Sequence, residues 1–87
     1  MKKPIAAQPW HPAPYVDADT YAIKALAAGN ASEGQQKRAL AWIINTLCGT
    51  YDLSFRPDSE RDTSFAEGKR HVGMQIVKQV NIIPKQQ

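Results

Sequence analysis

The sequence predicts an all-α fold: a short helix followed by an antiparallel helical hairpin, with an extended proline-rich N-terminal arm in front. Three observations carry that prediction. Apolar residues recur at helical spacing in two long segments, and cap and stop residues bracket three segments. Strand-like alternation occurs only at Tyr51, Leu53 and Phe55, with no second strand-like segment to pair with it.

Residues 1–16 form the arm, and residues 17–87 one small helical domain. Pro4, Pro9, Pro12 and Pro14 exclude a helix interior and favour extended or polyproline backbone. The arm nevertheless carries Ile5, Trp10, Tyr15 and Val16. A free linker has no use for such side chains, so the arm is expected to pack on its own domain or on a partner.

From Asp17 the chain reads DADTYAIKALAAGN. Acids at the start cap a helix, Gly29–Asn30 stop it, and Ile23, Leu26, Ala22 and Ala25 give it a narrow face suited to close packing. The second helix follows in ASEGQQKRALAWIINTLCG, with Ser32 and Gln35 spaced as a capping box and Gly49 at the stop. Leu40, Ile43, Ile44 and Leu47 recur at the period of one buried face. Trp42 falls about 200° from Leu40 on the helical wheel, so it must cover another helix, the arm or a partner.

GTYDLSFRPD is a connector, expected to plug one end of the core with its apolar residues. The third helix is predicted from near Asp58 to about Val80, with Ser64 and Glu67 as a later capping box. Its apolar face is Phe65, Val72, Ile76 and Val80, with Gly68 and Val77 alongside, and Pro84 ends any continuation. Gly68 and Gly73 each cost about 1 kcal/mol relative to alanine in a helix interior. Close approach of another backbone is a reason to keep them. Gly68 is expected to meet the second helix, and Gly73 to serve a different contact.

Composition narrows the function classes. One domain of 87 residues buries only about 60–65% of its unfolded surface, so oligomerisation or docking would help it. The single Cys48 rules out an internal disulfide and a cysteine-rich zinc module, and reads as a core residue. No apolar run suits a signal peptide or a membrane span, so a soluble protein of a reducing compartment is expected. The net charge of +3 is spread along the chain, with Lys69, Arg70, Lys78 and Lys85 lacking acidic companions after Glu67. Cations near a helix C-terminus complement its dipole, and phosphate contact is the weaker reading.

No catalytic, cofactor or metal site is expected. Glu67 and His71 stand four apart as a surface helix pair, and no H-x-x-x-H or C-x-x-C supplies further ligands. The acids at 58, 60, 62 and 67 fail the calcium-loop register, which would put Thr63 where glycine is needed and Lys69 where glutamate is needed. GNASEGQQKR has Gln35 and Gln36 in place of a phosphate-binding loop's lysine and hydroxyl. The chain is read as a binding protein, not an enzyme. Trp10, Tyr15 and Trp42 are its aromatic anchors for a partner, with Lys69, Arg70 and Gly73 as secondary contacts.

One order of residues is distinctive. RALAWIINTLCG closes a helix in cysteine, LSFRPDSERD forms an aromatic-containing loop, and DTSFAEGKRHVGMQIV presents Asp62, Thr63, Phe65, Glu67, Gly68, Lys69, Arg70, Val72, Gly73, Met74 and Ile76. From Gly34 to about Val80 the chain resembles a small domain family encoded in tailed-bacteriophage genomes among virion-structural genes. The resemblance implies a virion or assembly component that contacts other virion proteins as a homo-oligomer or within a ring. Its location would be the virion or the cytoplasm of the infected host. A phage-encoded nucleic-acid-binding or host-directed regulatory protein is the alternative.

Overall fold

The computed structural model describes residues 9–84, so Ile5 and Lys85 lie outside the described residues. The fold is all-α: α1 (Asp17–Ala28), α2 (Glu33–Ala41), a π-helical continuation of α2 (Trp42–Leu47), and α3 (Glu60–Asn81). The α2–π element and α3 form the hairpin, and α1 lies against α2.

The helix ends follow from local chemistry. Asp19 in the first turn of α1 accepts a hydrogen bond from the Val16 N–H at 3.0 Å. At the other end Gly29 adopts φ 79°, and the Gly29 and Asn30 N–H groups close back on Leu26 and Ala25 carbonyls. This left-handed closure satisfies carbonyls that the helix leaves free, at a φ that glycine adopts without strain. The capping box of α2 is present in both directions, Gln35 N–H to Ser32 Oγ at 3.1 Å and Ser32 N–H to Gln35 Oε1 at 3.0 Å. Gly49, at φ 57°, ends the π segment.

α3 starts two residues later than the spacing predicts. Its cap is Ser59, whose hydroxyl accepts from the Asp62 N–H at 3.0 Å. Ser64 therefore lies inside the helix and caps nothing. A start at Asp58 loses because Thr63 is already engaged with the connector: its Oγ1 accepts from the Arg56 N–H at 2.7 Å and donates to the Arg56 carbonyl at 3.1 Å.

The π segment changes what the second helix buries. The Cys48 N–H bonds the Ile43 carbonyl five residues back at 2.9 Å. The extra residue in that turn shifts everything beyond it by roughly 100° against an α-helical wheel. Leu47 falls off the stripe and is exposed; Leu40, which precedes the π segment, is exposed as well, and Ile43 and Ile44 are half-buried, so the four do not share one buried face.

Two other expectations are corrected. Tyr51, Leu53 and Phe55 do not plug the core; all three are exposed. The connector is fastened by polar bonds instead: Ser54 Oγ donates to Glu67 Oε2 at 2.6 Å, and Arg56 Nη1 to the Leu53 carbonyl at 2.7 Å. On α3 the inward residues are Ala66 and Gly73, and Phe65, Val72 and Val80 are exposed.

The interior is built from small side chains. Among the described residues the buried ones are Pro9, Ala22, Ala39, Cys48, Ala66 and Gly73, with Thr50 the buried polar one. α1 and α2 pack together with Ala22 and Ala39 buried, and the pair is tied by Arg38 Nε donating to Asp19 Oδ1 at 2.9 Å. The molecule is a plate of 48 × 36 × 19 Å with a radius of gyration of 15.5 Å, against about 12 Å for a compact chain of this length.

Candidate functional site

Close packing selects its glycine by tertiary position. A Cβ placed on Gly73 would overlap Thr50 Oγ1 and lie 2.9 Å from Thr50 Cβ and 3.0 Å from Cys48 Cβ. Thr50 is itself fully buried, with its hydroxyl donating to the Ile44 carbonyl at 2.6 Å. Gly73 thus lets α3 touch the turn that follows the π segment. Its contact lies within the chain, and being buried it presents no surface to a partner. Gly68, expected to meet the second helix, is exposed and has nothing within 4 Å of a built Cβ.

The aromatic anchors divide into two kinds. Trp10 is 56% exposed and stands edge-on to His11, ring centroids 4.3 Å apart, and Tyr15 is 66% exposed. Trp42 is half-buried and covers the arm: its Nε1–H donates to the Pro14 carbonyl at 3.0 Å. The arm is held a second time by Lys69, whose ammonium donates to the Pro9 carbonyl at 3.0 Å. From residue 9 onward the arm therefore packs on its own domain.

The basic pairs are already engaged. Lys37 pairs with Glu33 at 3.3 Å, Arg38 with Asp19 at 2.9 Å, and Arg70 with Glu67 at 3.6 Å. Glu67 faces Arg70 and Ser54 rather than His71, its expected partner. The backbone N–H of Val16, with help from Arg38, holds the Asp19 carboxyl below the usual carboxylate value of 3.8.

Concavities mark the surface of the described residues. A cleft of about 710 Å³ lies between the arm, the connector and α3, and a smaller one of about 360 Å³ is walled by Trp10, Leu47, Phe65 and Val72. Another, of about 350 Å³, lies between α2 and the C-terminal end of α3, lined by Leu40, Ile44, Tyr51, Val77 and Val80. Sequence reasoning counted most of these side chains as core. Their apolarity was visible, but exposure is decided by how far the helices diverge. Among the described residues no three of His, Cys, Asp and Glu converge as a metal requires, and no helix is long and apolar enough to cross a membrane.

Compared with known protein families, curated proteins and solved structures, the chain gives no match. The site offers apolar surface beside paired charges.

Proposed function

We propose that this chain is a structural or assembly component of a tailed bacteriophage, acting by protein–protein contact in multiple copies within the virion. One observation carries the contact half of the reading. The interior holds alanines, a cysteine and a threonine, while Trp10, Tyr15, Leu53, Phe55, Phe65 and Ile83 are all exposed. A monomer rarely leaves so much large apolar surface open unless a partner covers it. The phage half rests on the residue order from Gly34 to Val80, with Phe65, Glu67, Gly68, Arg70, Val72 and Gly73 at its centre.

The engaged cations favour protein over nucleic acid, since Lys37, Arg38 and Arg70 already meet carboxylates and Lys69 meets a carbonyl. Mass spectrometry of purified particles, made with and without this gene, tests the proposal. The chain should be present at several copies per particle, and particle yield should fall without it. Absence from particles, together with duplex-DNA affinity that drops steeply with salt and is lost on Lys69→Glu/Arg70→Glu, would replace it with the nucleic-acid reading.

A further inference from the structure

We propose that residues 9–16 form a strap that opens as one unit while the helices stay folded, and that the closed strap shields the Cys48 thiol. The opening is a motion of this chain by itself, independent of any role in a phage particle.

The strap crosses the body as a bar with space on both sides. Pro9, His11, Pro12 and Ala13 wall both the cleft of about 710 Å³ and the one of about 360 Å³, and Cys48 and Lys69 line both as well. A segment packed solidly onto its domain leaves no such voids along its flanks. The burial of the strap agrees: Pro9 is buried and Ala13 half-buried, while the other six residues are exposed.

Its fastenings are few and of one kind. Among the described residues no backbone–backbone hydrogen bond ties residues 9–15 to the helices. Pro9, Pro12 and Pro14 have no N–H to give. What holds the strap is Lys69 Nζ donating to the Pro9 carbonyl and Trp42 Nε1 donating to the Pro14 carbonyl, each at 3.0 Å. One bond sits at each end of a stretch that Pro12 stiffens, so the two break together. A segment with so few buried contacts opens at a free energy well below that of global unfolding.

Cys48 is the group whose access this motion controls. It is 7% exposed and lies where both clefts meet the strap. On its inner side it stands against α3, where its Cβ would lie 3.0 Å from a Cβ built on Gly73. The strap side is therefore its route to solvent, and as the single cysteine of the chain it reports that route without interference.

Thiol exchange of the full chain with an aromatic disulfide reagent, in native buffer and across sub-denaturing urea, tests this. Cys48 should label at a rate that barely changes with urea, because freeing eight residues exposes little surface. Lys69→Met and Trp42→Phe each delete one fastening and keep most of the side chain. Each should speed labelling by roughly 2–10-fold, and the double variant by more than either, with far-UV circular dichroism unchanged. Lys37→Met, which removes a cation paired with Glu33 instead, should leave the rate alone. Labelling that follows the full urea slope of global unfolding throughout overturns the proposal. So does a rate that neither strap substitution moves. A rate moved by Lys69→Met but not by Trp42→Phe overturns it as well, since one end would then fray without the other.

Discussion

Replacing Gly73 by alanine should destabilise the protein, although helix propensity alone predicts the reverse. In a helix interior alanine is favoured over glycine by about 1 kcal/mol. At this position the added methyl meets Thr50 Oγ1 and Cβ and Cys48 Cβ, all closer than van der Waals contact. Thr50 is fully buried and cannot swing into solvent. Overpacking a tight contact costs about 1–3 kcal/mol. Displacing the Thr50 hydroxyl from the Ile44 carbonyl leaves a buried polar group unpaired, for about 1–3 kcal/mol more. Set against the propensity gain, the net loss is about 1–5 kcal/mol, each kcal/mol lowering Tm by about 4–8 °C in a domain of this size. The assay is urea unfolding followed by tryptophan fluorescence and far-UV circular dichroism, at one protein concentration because association adds to apparent stability. Gly68→Ala in the same helix is the internal control: with open space around its Cβ, it should gain up to about 1 kcal/mol. Thr50→Ala should relieve the Gly73→Ala penalty by at least ~1 kcal/mol in a double-mutant cycle. Equal effects of the two glycine substitutions, or no coupling to Thr50, would refute the close-contact account.

Asp19→Asn should remove an acid-sensitive part of the α1–α2 contact. Because the folded Asp19 carboxyl is held below its ordinary 3.8, its contribution is full above that value and fades as pH falls through the lower folded value. The wild type should therefore lose stability below about pH 4 by a step that the Asn variant lacks, measured as Tm against pH. Trp42→Phe keeps the ring and deletes the N–H that meets the Pro14 carbonyl at 3.0 Å. It should cost about 0.5–1.5 kcal/mol and raise proteolytic cleavage within residues 9–16 before the helices are cut.

Legibility followed range. The Ser32–Gln35 box, the Gly29 and Gly49 stops and the Asp19 cap were all readable, because each is a contact between residues three or four apart. Trp42 is read from sequence as an off-stripe residue left to cover another helix, the arm or a partner, and as a partner anchor; in the structure its indole N–H meets the arm. The buried stripe Leu40–Leu47 failed for a local reason that carries no sequence signal here, the extra residue in the turn at Ile43–Cys48. The faces of α3 failed for a global one: Phe65, Val72 and Val80 have the right spacing, but the fold leaves them exposed.

The site divided in the same way. Trp10 and Tyr15 are exposed, as an extended proline-rich arm with no interior of its own leaves them. The pairing of Arg38 with Asp19, nineteen positions apart, and of Lys69 with Pro9, sixty apart, needed the chain to be folded first.

The sequence by itself determined the helices, their order and most of their ends, since these depend on backbone preferences and on neighbours within one turn. Only the tertiary structure decided which glycine is indispensable to the packing, which cations are already spent, and which apolar residues remain outside. Gly68 and Gly73 are alike in sequence and differ only in whether Thr50, brought from 23 positions away, stands against them. Burial is a property of what lies opposite, and nothing within one turn of a helix states what that will be.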